Sequence, residues 1–184
     1  MKSYFISDDT FLLYGIPVAT EDEAAASVFI NLNEKESLRA FEPVAGDIVV
    51  VAVNHHLNRM KILQKSIMPF CRVVIMLDIP INRSGTIEFP CMISKTISSL
   101  DFRRLMKVAK NIPARRGTVS KKLLGIFNQL SAECSPQLHT ANTGLSMRII
   151  YRIKRNVFQK YGLLNCNSQG ILECHDMLRM KVPV

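Results

Sequence analysis

The sequence has no tryptophan and few aromatic residues, and it lacks the marks of a secreted, membrane-spanning or disulfide-stapled protein. There is no run of about 18 apolar residues, and residues 1–9 contain no apolar signal-peptide core. The five cysteines are scattered without C-x-x-C spacing, which argues against a zinc site and favours buried thiols in a reducing compartment. These absences predict a soluble cytoplasmic protein with no metal and no cofactor.

Motifs for enzymatic chemistry are missing as well. The sequence contains no glycine-rich phosphate loop, and no nucleophile elbow accompanies Ser131, His139 and Asp176. We therefore expect that the protein is not an enzyme. A flavodoxin-like enzyme remains a third hypothesis, and it would require a cofactor bound to the N-terminal part.

The charge is distributed unevenly along the chain. Residues 1–102 contain 9 Lys/Arg and 12 Asp/Glu, a net charge of −3, whereas residues 103–184 contain 15 Lys/Arg and 3 Asp/Glu, a net charge of +12. An acidic part followed by a strongly basic part indicates two modules, the second facing a polyanion. A basic domain that is merely solvated is the alternative.

Short apolar segments alternate with amphipathic ones over residues 1–110. The expected strands are 4–7, 27–32, 47–53, 72–77 and 91–94, and the expected helical stretches are 11–16, 35–41, 57–68 and 100–109. The segments 47–53 and 72–77 are apolar without alternation, which is typical of parallel strands buried on both faces. Residues 79–90 contain two prolines and a glycine and are expected to form a loop. The pattern predicts a doubly wound α/β domain.

Residues 111–118, with Pro113 and Gly117, are expected to be a linker. After it the strand pattern stops, so residues 119–184 are predicted to form a small all-α domain. Its helices are expected from about Ser120, over 145–161 and over 168–180, with a short polar segment at 133–143. Ser146 is a natural N-cap for the second of these helices, and Gly162 is a natural stop.

The helix after Ser146 contains basic residues and no acidic residue. Its apolar stripe is formed by Ile149, Ile150, Ile153, Val157 and Tyr161. The rest of its surface carries Arg148, Tyr151, Arg152, Lys154, Arg155 and Lys160. A helix of one charge sign forgoes stabilising i,i+4 ion pairs, which is reasonable if phosphates supply the opposite charge. The alternative is a solvated basic helix on a partner-binding domain.

The segment Leu145–Asn165, LSMRIIYRIKRNVFQKYGLLN, resembles the C-terminal signature of LuxR/FixJ-type regulators. That signature reads apolar-Ser-x-x-Thr-Val-x-x-His-x-x-Asn-Ile-x-x-Lys-Leu-Gly-apolar. The positions that match it identically or conservatively are Ser146, Ile150, Asn156, Val157, Lys160, Gly162 and Leu163. The chain departs from it at Ile149, Ile153 and Tyr161, where the family has Thr, His and Leu. The preceding helix, around 137–143, lacks the family's Ile-Ala pair.

The resemblance implies a bacterial transcription regulator whose helix-turn-helix binds double-stranded DNA, usually as a dimer. The DNA-binding positions it implies are Ser146, Arg148, Tyr151, Arg152, Lys154, Arg155 and Lys160. Of these, Tyr151, Arg152 and Arg155 would read bases, and Arg148, Lys154 and Lys160 would contact phosphates.

Residues 1–110 resemble the receiver domain that often accompanies this helix-turn-helix. The segment FISDDTFLLYGI resembles the first receiver strand and helix, and DIVVVAV resembles the third strand. Ala52 occupies the place of the phosphate-accepting aspartate, and alanine has no nucleophile, so we expect no phosphorylation. Asp8 and Asp9 are expected to be loop or helix-cap residues, and Lys95 is expected to be a solvated lysine at a strand end.

Two functional hypotheses follow. The first is a sequence-specific DNA-binding regulator whose N-terminal domain mediates dimerisation or contact with another regulator. The second is an auxiliary interaction protein that binds DNA weakly alone and acts by forming a heterodimer with another transcription regulator.

Overall fold

The computed structural model of the chain describes residues 1–19, 27–34, 36–82, 87–113, 117–132, 144–164 and 168–184. The chain forms two compact units, Met1–Pro80 with Gly85–Arg115, and Ile81–Ser84 with Arg116–Val184. The change of unit after Arg115 falls within the predicted 111–118 linker. The membership of Ile81–Ser84 in the second unit was not predicted, because these residues lie in sequence between two strands of the first.

The first unit is built on a five-stranded parallel sheet. Its elements in chain order are β1 (Ser3–Ser7), α1 (Thr10–Ala19), β2 (Ser27–Asn31), β3 (Ile48–Ala52), α2 (His56–Leu63), β4 (Arg72–Leu77), β5 (Cys91–Ser94) and α3 (Ser99–Asn111). The strand order is β2-β1-β3-β4-β5, and every neighbouring pair is parallel. This is the order of a doubly wound α/β fold, so the predicted class of the N-terminal part is confirmed.

The central strands are buried on both faces, as their unbroken apolar character predicted. Val50 and Val74 pair in register and belong to a core cluster that includes Phe102 of α3. Val49 and Val73, one residue earlier, point to the opposite face and are buried as well. Every residue of β3 is buried, which explains why the strand could be recognised without alternation.

The helix expected over 35–41 is wrong in its extent. The described part of this segment forms a single 3-10 turn, Ser37–Ala40, with no buried residue. Phe41, directly after the turn, is buried and contacts the Tyr4 ring edge-on at a centroid distance of 5.4 Å. A single apolar anchor does not give a helix a face to pack, and Pro43 follows closely, so the turn does not extend into a helix.

The second unit contains, in its described part, β6 (Thr118–Val119), α4 (Lys121–Ser131), α5 (Met147–Lys160), α6 (Ser168–Arg179) and β7 (Val182–Pro183). The prediction of an all-α domain is therefore wrong in one respect, since β6 and β7 form a two-stranded parallel sheet. The amides of Val182 and Val184 donate to the carbonyls of Gly117 and Val119. Residues 182–184 thus hold the segment directly before α4 in place. This pairing joins residues more than sixty positions apart, and a local sequence pattern does not reveal it.

Cys71, Cys91 and Cys174 are buried and form no disulfide, as predicted for these three cysteines. Burial raises the pKa of the Cys71 thiol to about 11, and the nearby Asp47 carboxylate acts in the same direction. Cys71 is therefore a protonated, unreactive core residue at neutral pH. In the described part of the chain, no helix has the length and apolar character needed to cross a bilayer.

Candidate nucleic-acid interface

The candidate site is α5, and its two ends are those expected from the sequence. Ser146 occupies the N-cap position with extended backbone angles, and its carbonyl accepts from the amides of Ile149 and Ile150. Its side chain makes no capping hydrogen bond, so the helix begins where predicted without the expected cap contact. At the other end, Gly162 has φ +76°, a left-handed conformation that favours glycine.

The C-terminus of α5 is closed by a Schellman motif. The Leu163 amide donates to the Phe158 carbonyl at 2.9 Å, and the Gly162 amide donates to the Gln159 carbonyl at 3.1 Å. The same segment is also held by the chain at 81–82, because Ile81 and Leu163 form an antiparallel bridge and the Asn82 amide donates to the Gly162 carbonyl at 2.8 Å. The end of the helix is therefore fixed within the second unit from both sides.

One side of α5 is buried and anchors the helix. Ile150, Val157 and Phe158 are buried, and Tyr161 directly after the helix is buried too. Phe158 was not among the residues predicted for this stripe. It is fully inaccessible and lies eight residues after Ile150, a spacing that returns to the same side of a helix. Ile149 and Ile153, which were expected on this stripe, are half-buried.

The exposed part of α5 carries most of the predicted binding residues. Five of them are exposed, together with the N-cap: Arg148, Tyr151, Arg152, Arg155 and Lys160, with Ser146. Tyr151 is 58% exposed, so its ring is accessible from solvent. The structure thus brings these residues onto one helix, with the basic groups directed to solvent.

The surface around α5 has a single charge sign in the described part of the second unit. The acidic residues described there are Glu173 and Asp176 of α6, and both are buried. The exposed charged side chains described there are Lys121, Lys122, Arg148, Arg152, Arg155, Lys160 and Arg179. Such a surface attracts polyanions and repels other basic surfaces.

Lys154 differs from the other basic residues of α5. It is half-buried, and its Nζ lies 6.0 Å from the Tyr151 ring centroid and 5.6 Å from the Phe158 ring centroid. These distances are within the range of cation–π attraction. The ammonium thus lies near both rings, a contact that was not predicted beside the phosphate contact.

The helix preceding α5 cannot be compared with the prediction. The second helix of the expected helix-turn-helix, around 137–143, lies outside the described residues. What is described is the packing of α4 and α5 against α6, with the His175 Nε2 and Asn128 Oδ1 atoms 2.6 Å apart between α6 and α4. The turn that would define the motif remains a prediction.

The carboxyl edge of the sheet in the first unit holds the residues expected at a receiver site. Ala52 is the last residue of β3. The prediction of a solvated Lys95 is wrong, because its side chain is 9% exposed and its Nζ bonds to Asn54 Oδ1 at 2.5 Å and to Asp78 Oδ2 at 2.9 Å. Parallel strands bring their carboxyl ends to one edge, and Lys95 after β5 thereby joins residues that follow β3 and β4.

The acidic pair after β1 serves the local backbone. The Asp9 carboxylate accepts from the Leu12 amide at 3.2 Å and so caps α1, as predicted. The Asp8 carboxylate accepts from the amides of Asn54 and His55 at 2.9 and 3.3 Å. Both carboxylates thus have hydrogen-bonding roles that need no bound ligand.

Comparisons with known proteins identify no family. No family model matches the chain, and no curated protein sequence matches it. Among solved structures, full-length FixJ from B. japonicum is similar at 14% identity, covering 97% of each chain with a TM-score of 0.35. A likeness at that level transfers neither fold nor function, so the properties of this chain have to be argued from its own residues.

Proposed function

We propose that the chain is a sequence-specific DNA-binding transcription regulator that inserts α5 into the major groove. Tyr151, Arg152 and Arg155 contact base edges, and Arg148, Lys154 and Lys160 contact phosphates. Ser146, at the exposed start of the helix, lies where backbone amides are available to a phosphate oxygen.

The observation that carries this proposal is the exposed, uniformly basic face of α5. Surface helices normally mix charge signs, and a helix without acidic residues loses that stabilisation unless a polyanion supplies it. The apolar side of α5 is well anchored, so the helix is a rigid rod with exposed arginine side chains. Such a rod fits the wide major groove of B-DNA better than the narrow major groove of double-stranded RNA.

The first unit would act without phosphorylation. Its third strand ends in Ala52, and the neighbouring polar groups, including Lys95, are engaged with one another. We propose that this unit mediates dimerisation or contact with another regulator, with DNA bound by the dimer.

The base-reading part of the proposal is tested with Arg152→Ala and Arg155→Ala. Genomic fragments recovered by chromatin immunoprecipitation of the tagged protein serve as probes in gel-shift titrations. Each lost base contact should cost about 1–3 kcal/mol, or roughly 5- to 150-fold in affinity for the recovered sites. Arg39→Ala is the matched control, since Arg39 lies in the first unit with a 77% exposed side chain.

The phosphate contacts have a different signature. Arg148→Ala and Lys160→Ala should weaken binding to all sequences about equally, and each should reduce the slope of log K against log[salt] by about 1. If site-specific binding survives both Arg152 and Arg155 substitutions, α5 is not the recognition helix. If the chain binds only after another regulator is added, the auxiliary heterodimer hypothesis replaces autonomous binding.

A further inference from the structure

A cavity of about 290 Å³ opens on the first unit, between the N-terminal half of α1 and the end of edge strand β2. Its lining residues are Thr10, Leu13, Tyr14, Phe29, Asn31 and Glu34. The three helical residues are spaced i, i+3, i+4 and share one side of α1, and Phe29 and Asn31 share one face of β2. The volume is near the lower end of the range for small-molecule sites.

The lining of the cavity includes the carboxylate of Glu34, an exposed residue. The Asn31 side-chain amide donates to Glu34 Oε1 and to Thr10 Oγ1, both at 3.2 Å, and its own oxygen accepts from the Asn33 amide. The Glu34 carboxylate thus accepts one hydrogen bond from β2. Among the described residues, no Lys or Arg forms an ion pair with Glu34.

The walls of the cavity are aromatic. The Phe29 ring is stacked on the buried Phe5 ring at a centroid distance of 5.1 Å and an angle of 13°, which fixes its plane while leaving it 37% exposed. The Tyr14 ring on α1 is 74% exposed. Aromatic faces beside a carboxylate attract organic cations, because ring quadrupole and negative charge act in the same direction.

The positive end of the α1 dipole lies at Thr10, and it would disfavour a cation if it were uncompensated. The Asp9 carboxylate caps that end through the Leu12 amide. Among the described residues, the charged groups that line the cavity or lie next to Thr10 in sequence, Asp8, Asp9 and Glu34, are negative; Lys35, which follows Glu34, lies outside the described residues.

We propose that this cavity binds an organic cation, an ammonium or guanidinium group attached to an apolar body, with the charge at Glu34 and the body against Tyr14 and Phe29. The cation can come from a free small molecule or from a basic side chain of a second copy of the chain. Both sources share the same recognition chemistry, and the experiment separates them.

The probe is benzylamine, which is protonated at pH 7, titrated into the full-length chain and followed by amide shifts in ¹H–¹⁵N NMR spectra. Benzyl alcohol has the same ring without the charge, and benzoate has the opposite charge. We expect saturable benzylamine shifts confined to residues 10–14 and 27–34, about fivefold weaker binding of benzyl alcohol, and no saturation with benzoate.

The variant Glu34→Gln keeps an oxygen that accepts from Asn31 and removes only the charge. It should lower the benzylamine affinity about fivefold, whereas Glu36→Gln, the same change two residues away at a side chain paired with Arg39, should leave it unchanged. If a second copy supplies the cation, sedimentation will show self-association that Glu34→Gln and benzylamine both reduce.

The proposal is supported by charge-dependent benzylamine binding that Glu34→Gln weakens, or by self-association that Glu34→Gln and benzylamine both reduce. Equal binding of benzylamine and benzyl alcohol would overturn it. So would the absence of benzylamine binding together with sedimentation that Glu34→Gln leaves unaltered.

Discussion

The end of α5 requires glycine at position 162, because a larger residue would collide with the neighbouring backbone. A Cβ built on Gly162 would lie 2.4 Å from the Asn82 carbonyl oxygen and 2.9 Å from its carbon. Backbone atoms at that distance have to move, and the movement would break the 2.8 Å bond from the Asn82 amide to the Gly162 carbonyl. It would also disturb the bridge between Ile81 and Leu163.

The cost of Gly162→Ala can be separated into two parts. A left-handed alanine costs about 1 kcal/mol wherever it occurs. The displaced 81–82 segment loses two backbone interactions, each worth about 1 kcal/mol. We therefore expect the free energy of unfolding to fall by about 3 kcal/mol.

Gly144 provides the matched control, because its φ is +62° and no described atom lies within 4 Å of a Cβ built there. Gly144→Ala should cost only the backbone part, about 1 kcal/mol. Urea unfolding followed by far-ultraviolet circular dichroism measures both variants. If Gly162→Ala and Gly144→Ala lower the free energy of unfolding equally, the contact between Gly162 and Asn82 adds nothing to the cost of Gly162→Ala.

Two further predictions concern the first unit. Lys95→Met keeps the buried stem of the side chain but removes both Nζ hydrogen bonds. Because the Asp78 side chain is 62% exposed, the free energy of unfolding should fall by only about 1 kcal/mol. The control Lys61→Met, at an exposed lysine, should lower it by less than about 0.5 kcal/mol, and equal urea midpoints for the two variants would contradict the prediction. The raised pKa of Cys71 means that the unfolded thiol ionises first, so its contribution to stability is complete below about pH 9 and is lost as the pH rises towards about 11. Cys71→Ala should flatten that part of the pH–stability curve, and mass spectrometry should find Cys71 unalkylated in the native protein at pH 8.

The fold of the first unit could be predicted because its information is local. Unbroken apolar strands such as β3 and β4 carry the pattern of a parallel sheet in their own residues, and α3 begins directly after Ser98, whose hydroxyl caps it. The helix expected over 35–41 was predicted too long, since a few helix-compatible residues without a second buried residue do not form a stable helix.

The limits of α5 and the identity of its basic residues were also local properties. Gly162 after a periodic stretch predicted the stop, and the absence of acidic residues predicted the charge sign of the surface. The exposure of these side chains depends on which side of the helix packs against its neighbours. The buried side includes Phe158, which was not part of the predicted apolar stripe.

The sequence by itself determined the strands of the five-stranded sheet, the limits of α5 and the separation of charge, because each depends on neighbouring residues or on composition. Only the tertiary structure decided which distant groups meet. Three contacts join residues far apart in the chain. They are the hydrogen bonds from Lys95 to Asn54 and Asp78, the pairing of Thr118–Val119 with Val182–Pro183, and the hydrogen bond from the Asn82 amide to the Gly162 carbonyl. Such contacts follow from how elements pack, and no periodicity in a single chain segment encodes them.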